Sequence, residues 1–147
     1  MWCDGCYADV GVINISTWDT PTNLVYASAN TDIRNIQFRR TNAQQGMGTL
    51  VCRGGFGSNN YVCGQVDMVD QSVLVDNLQG GAWWQTHQWR MTASLNNGDS
   101  GGPVMYGTAA FGLATAGTTR TWYTTLDYAA AAVGYRPCIT AYNNPCL

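Results

Sequence analysis

Gly98-Asp99-Ser100-Gly101-Gly102-Pro103 is the stretch on which the reading of this chain turns. Gly98, Gly101 and Gly102 have no Cβ, so the backbone there can bend sharply and lie close to its neighbours. Pro103 begins an extended segment. Ser100 occupies the middle of the turn. Taken alone, this is a glycine-rich turn in a β protein; its surroundings decide whether it is more.

Outward from the turn, the chain alternates short apolar segments with turn signals. Downstream, the pattern predicts strands over Pro103–Tyr106, Ala109–Thr115 and Thr121–Leu126. Asp127–Val133, four alanines behind an Asp cap, is the one segment that reads as helix. Upstream, strands are predicted over Gly48–Arg53, Tyr61–Val69, Ser72–Leu78 and Trp84–Thr92, with Gln79-Gly80-Gly81 as a break. Tyr7–Ile15 and Leu24–Ala29 are further strands, and Asn30–Gln45 is polar and reads as a connector. The rhythm is that of a small antiparallel barrel or sandwich.

The composition agrees. The 147 residues suffice for one ordinary domain, and 46% of them are hydrophobic, enough for a packed core. Every cation is Arg and every anion is Asp, so the strong surface helix formers Lys and Glu are missing. The net charge is −2 and no basic run exceeds Arg39-Arg40, which argues against a nucleic-acid partner. No segment is long and apolar enough for a membrane span. Six cysteines, at 3, 6, 52, 63, 138 and 146, suggest disulfides and an oxidising, extracellular compartment. Their pairing stays open; 52/63 and 138/146 are the simplest local bridges. Cys3-x-x-Cys6 has metal or redox spacing, but no second such pair or paired His supports it, so no metal is expected. Met1 runs straight into Trp-Cys-Asp-Gly-Cys without a signal peptide, and one explanation is a missing N-terminal portion.

With these features in place, the Gly98–Pro103 turn resembles the nucleophile loop of chymotrypsin/trypsin-like serine endopeptidases. The resemblance runs from about Gly46 to Arg136. Leu50-Val51-Cys52-Arg53 and Tyr61-Val62-Cys63-Gly64 are similar to the disulfide hairpin of the bacterial streptogrisin-like branch. Phe111–Gly117 is similar to the strand that pairs with substrate backbone, and Trp122–Leu126 with the Ala-rich helix to the family's C-terminal end. The fold implied is all-β: a complete second chymotrypsin-like barrel, a partial first barrel and a short C-terminal helix. The implied division is 1–29 as the remnant of barrel one, 30–45 as the connector, 46–136 as barrel two, and 137–147 as a tail looped by Cys138 and Cys146.

The resemblance also implies roles. Ser100 is the nucleophile, and the amides of Gly98 and Ser100 form the oxyanion hole. Asp99, if buried beside that hole, needs a cation, and Arg53 stands where the bacterial branch supplies one; breaking such a pair costs about 3–5 kcal/mol. Asp9, with Asp4 as runner-up, fits the triad aspartate. Ser94, Thr115, Gly117 and Thr121 form the substrate pocket, with neutral Ser94 at its base and Thr121 narrowing it; Leu95 stands where the family usually has a bracing cysteine. The activity implied is secreted peptide-bond hydrolysis through an acyl-enzyme, with a polypeptide substrate, no cofactor, and a pro-region or absent N-terminal segment as a further partner. The departure is the base. The one histidine, His87, lies in a second-barrel strand among Trp83, Trp84, Gln85 and Trp89, and its reading is packing or surface. The chain alone is therefore expected to be inactive. Two other classes stay open: a protease-fold module that binds without turnover, and a β module that binds sugar through Trp83, Trp84, Trp89 and Trp122.

Overall fold

The computed structural model describes residues 23–28, 32–77 and 81–134. Nine strands and one helix follow in order: β1 (Leu24–Ser28), β2 (Asp32–Asn35), β3 (Phe38–Arg39), β4 (Leu50–Arg53), β5 (Val62–Asn77), β6 (Gly81–Met91), β7 (Pro103–Tyr106), β8 (Ala109–Gly117), β9 (Thr121–Thr125) and α1 (Leu126–Val133). Six of the strands close a ring. β4 pairs with β5 and β7, β5 with β6, β6 with β9, and β8 with both β7 and β9, all antiparallel. Closure removes the open sheet edges that an antiparallel sheet otherwise exposes. The all-β fold with a short C-terminal helix is the one the sequence led us to expect.

Alternation explains which residues fill the ring. Val51, Val66, Met91, Val104, Phe111, Ala114 and Tyr123 point inward from six different strands and are buried together. Gln45, fully buried, supplies the polar contacts this core needs. Its side-chain oxygen accepts from the Tyr123 hydroxyl at 3.1 Å, and its backbone carbonyl accepts from the Trp89 indole N–H at 3.1 Å. Burial pushes the Tyr123 phenol far above its ordinary pKa, so it stays a neutral donor.

Outside the ring, β1 and β2 form a separate two-stranded sheet. Ala27 and Ile36 pack on Met105 of β7, while Leu24, Tyr26 and Ile33 face outward. β3 runs parallel to β8, pairing Phe38 with Ala109. The polar segment read as a connector thus contains two short strands and a 3-10 turn, Asn42–Gln44.

Two local expectations need correction. Tyr61–Val69 and Ser72–Leu78 are not separate strands, because β5 runs unbroken from Val62 to Asn77. The positive φ of Asp70 (52°) is absorbed as a bulge, as is that of His87 (54°) on the partner strand, so the hairpin bends instead of ending. The helix cap is Thr125, not Asp127: the Thr125 hydroxyl accepts from the Tyr128 amide at 3.4 Å. The Asp127 carboxylate lies in the first turn and accepts from the Asn42 amide at 2.8 Å, which ties the helix to the 3-10 turn.

Candidate active site

The turn before β7 is built around a buried carboxylate. Asp99 is fully buried, and Arg53 is only 1% exposed. Arg53 Nη1 donates to Asp99 Oδ2 at 2.7 Å. The other carboxylate oxygen accepts from the Ser58 amide at 2.7 Å, and Oδ2 accepts also from the Asn96 amide at 3.0 Å. The guanidinium is held in turn by the Ser94 carbonyl at 2.6 Å and the Ser58 hydroxyl at 2.5 Å. Burial by itself raises the Asp99 pKa; the amides of Ser58 and Asn96, then the Ser58 hydroxyl and the Arg53 charge, outweigh it and hold the carboxyl below the ordinary aspartate value. A buried pair is tolerated when its remaining hydrogen-bonding capacity is met, as it is here.

The second support is a glycine cradle. A Cβ at Gly55 would fall on the Asp99 carboxylate, and one at Gly57 on the Asn97 carbonyl. A Cβ at Gly102 would strike the Gly54 carbonyl. The 54–58 loop and the 97–102 turn therefore touch backbone to backbone, at a separation only glycine allows. Nothing in the sequence of residues 54–60 pointed to this cradle, or to Ser58 as a ligand of Asp99.

These supports set the position of Ser100, which is exposed. Gly98 has φ +89°, a left-handed conformation suited to glycine, and Gly101 has +83°. The Gly101 amide donates to the Ala114 carbonyl at 2.7 Å and the Gly102 amide to the Asp99 carbonyl at 2.9 Å. Among the described residues, no acceptor engages the amides of Gly98 or Ser100. The Ser100 hydroxyl donates to the Thr115 carbonyl at 3.0 Å.

Of the residues expected around a pocket, Ser94 and Gly117 are exposed and Thr115 and Thr121 are buried. The Thr115 hydroxyl donates to Gln88 Oε1 at 2.9 Å, inside the ring, so its backbone carbonyl faces the turn. The Thr121 hydroxyl donates to the Ala93 carbonyl at 2.9 Å. Gly117, with φ +141°, has no room for a Cβ beside the Arg120 carbonyl.

His87 is placed elsewhere. Its ring stacks on Tyr128 with centroids 4.3 Å apart, and Nδ1 lies 2.5 Å from the Asp70 carboxylate. Cys52 and Cys63 face each other across β4 and β5 and are bonded. Asp9, Asp4, Cys3, Cys6, Cys138 and Cys146 lie outside the described residues. No group of three metal-ligating side chains occurs among the described residues. None of the described helices is long and apolar enough to cross a membrane. The four tryptophans do not form one exposed strip: Trp84 is 52% exposed and Trp89 only 5%.

Comparison with known proteins fits this arrangement. Thermobifida fusca protease A is 25% identical, with a TM-score of 0.65 over 82% of this chain and 62% of its own. Cellulomonas bogoriensis chymotrypsin is 22% identical, with a TM-score of 0.65 over 81% of this chain and 63% of its own. A glutamic acid-specific serine protease is 22% identical, with a TM-score of 0.61 over 81% of this chain and 62% of its own. This chain thus spans less than two thirds of the length of the solved structures it resembles. No curated protein matches. The trypsin family model matches residues 4–137, and with the ring, the Asp99–Arg53 turn and the exposed Ser100 all inside that span, the chain belongs to the trypsin family.

Proposed function

We propose that this chain supplies the nucleophile and oxyanion half of a serine endopeptidase. The observation that carries the proposal is the Gly98–Ser100 turn, with two amides that no acceptor engages among the described residues beside an exposed hydroxyl. Ser100 Oγ attacks the scissile carbonyl, the amides of Gly98 and Ser100 stabilise the developing oxyanion, and the leaving amine departs with a proton, giving an acyl-enzyme that water hydrolyses. The substrate backbone pairs with the Phe111–Gly117 strand, and the pocket formed by Ser94, Thr115, Gly117 and Thr121, without a carboxylate at its base, takes a small or apolar side chain. No cofactor enters this scheme.

The general base is an imidazole from polypeptide other than these 147 residues, because His87 stacks on Tyr128 beside Asp70. Asp9 is the candidate to orient that imidazole. The Cys52–Cys63 bond supports action outside the cell, and a segment carrying the histidine, or a pro-region, is the expected partner. Without the base, Ser100 retains only the assistance of binding and the oxyanion amides. The same geometry also serves a cleft that binds peptide without turnover, a reading favoured by the engagement of the Ser100 hydroxyl with the Thr115 carbonyl.

Labelling with a fluorophosphonate, with and without free imidazole, tests the proposal. Slow labelling that imidazole accelerates, and that Ser100→Ala abolishes, is expected. Peptide binding with no labelling under any condition selects the binding module. Rapid stoichiometric labelling of Ser100 without imidazole overturns the assignment of the base.

A further inference from the structure

One wall of the candidate pocket is the turn that joins β8 to β9. The turn between β8 and β9 exposes Gly117, Thr118, Thr119 and Arg120. Its root is fixed, because the Leu95 amide donates to the Thr118 carbonyl at 2.8 Å and the buried Thr121 hydroxyl bonds the Ala93 carbonyl. What holds its tip lies on a different strand. Asp67, on β5, receives Arg90 of β6 in a two-pronged contact, Nε to Oδ1 at 2.9 Å and Nη2 to Oδ2 at 3.0 Å. The same carboxylate is ion-paired with Arg120. Arg90 in turn covers the ring of Trp122, the residue two beyond Arg120, at 5.3 Å.

From these contacts we infer that Asp67 is a positioning residue for the pocket wall, acting through Arg120. A paired carboxylate–guanidinium contact fixes orientation as well as distance, so Arg90 holds the Asp67 carboxylate in one pose, and that carboxylate sets where Arg120 can go. The backbone carries the constraint onward. Gly117 lies close to the Arg120 carbonyl and pairs with Thr121, the residue after Arg120, so the position of Arg120 bears on that of Gly117. Arg120 is about half exposed while Asp67 is mostly covered, which makes the outer pair the one that dissolved salt weakens first. The wall is therefore tightened by an ionic clasp whose grip falls with ionic strength. The inference rests on the pocket assigned under the proposed function, and deepens it by naming what shapes that pocket.

The test compares the full chain with its Asp67→Asn and Arg120→Gln variants by amide hydrogen exchange and by the affinity of fluorescent peptides. Exchange at residues 118–121 is expected to quicken about two- to fivefold in both variants, with Val51 and Val66 unchanged. Peptides bearing a small side chain at the residue whose carbonyl is attacked are expected to lose about the same factor in affinity. Asp67→Glu is expected to recover part of both effects. Raising salt to about 1 M is expected to quicken exchange in the parent and not in the variants. Unchanged exchange at 118–121 overturns the clasp. Faster exchange with peptide affinity intact overturns its role in the pocket. Failure of every protein, parent included, to bind peptide sinks the cleft reading itself, while the exchange data still decide the clasp.

Discussion

Gly57 and Gly98 lie backbone on backbone: a Cβ added to Gly98 would stand 3.1 Å from the Gly57 Cα, although the two are 41 positions apart in the chain. The amide proposed to stabilise the oxyanion is thus shaped from below by a loop that carries no chemistry of its own. Gly57→Ala is expected to destabilise the fold by about 1–3 kcal/mol through overpacking. It should also slow imidazole-assisted labelling of Ser100, whereas Gly46→Ala, where nothing lies within contact distance, should leave labelling unchanged. Urea unfolding and labelling rates measure the two effects.

The Arg53–Asp99 pair is fully enclosed, so removing one partner strands a charge. Arg53→Met is expected to cost about 3–5 kcal/mol and Asp99→Asn a similar amount, while the double variant recovers a substantial part of the sum. Additive losses in urea midpoints would show the two groups to be independent, contrary to the 2.7 Å contact.

Acid should unfasten the same turn. The Asp99 carboxyl is held below its ordinary value, so the folded state binds its proton less readily than the unfolded chain does. Its contribution is complete above the unfolded aspartate value of about 3.9, and is lost as pH falls through the lower folded value. Stability measured from about pH 6 down to pH 2 is expected to fall more steeply in the parent than in Asp99→Asn. Equal slopes in the two proteins would remove Asp99 from the account.

The Cys52–Cys63 bond closes a short loop, with a sequence separation of 11. In the chain-entropy account such a loop contributes about 2–3 kcal/mol. The double variant Cys52→Ala/Cys63→Ala is expected to lose that much in denaturant unfolding. Because this loop contains the glycine cradle and Ser58, it should also lose Ser100 labelling before it loses the ring, as judged by circular dichroism.

Much of the ring could be read from the sequence, and the reasons are local. Pro103–Tyr106, Ala109–Gly117 and Thr121–Thr125 carry short apolar segments between turn signals, and the structure forms strands there. What could not be read depends on partners far away in the chain. Nothing local marks Ser58 as a ligand of Asp99, since its role comes from the closure of β4 on β7. The continuity of β5 through Asp70 was hidden because a bulge and a turn look alike in sequence; only the pairing of Gln71 with Gln88 separates them. At the helix start, Thr125 and Asp127 are both good caps, and the choice is made by Asn42, whose amide claims the Asp127 carboxylate. The Asp99–Arg53 contact was legible through a resemblance, and through nothing in periodicity or composition.

The oxygen that holds the Ser100 hydroxyl belongs to the main chain of β8, at the register shift between Ala114 and Ala116, which pair with Tyr123 and Trp122 of β9. Replacing the side chain at 115 cannot delete that acceptor, so the resting pose is written into the barrel itself. A visiting imidazole would have only to outbid one neutral hydrogen bond, net about 1 kcal/mol, and turn a single side-chain torsion. On the proposed reading, arming the serine then asks nothing of the backbone, and the hydroxyl can rest on the barrel without distorting it.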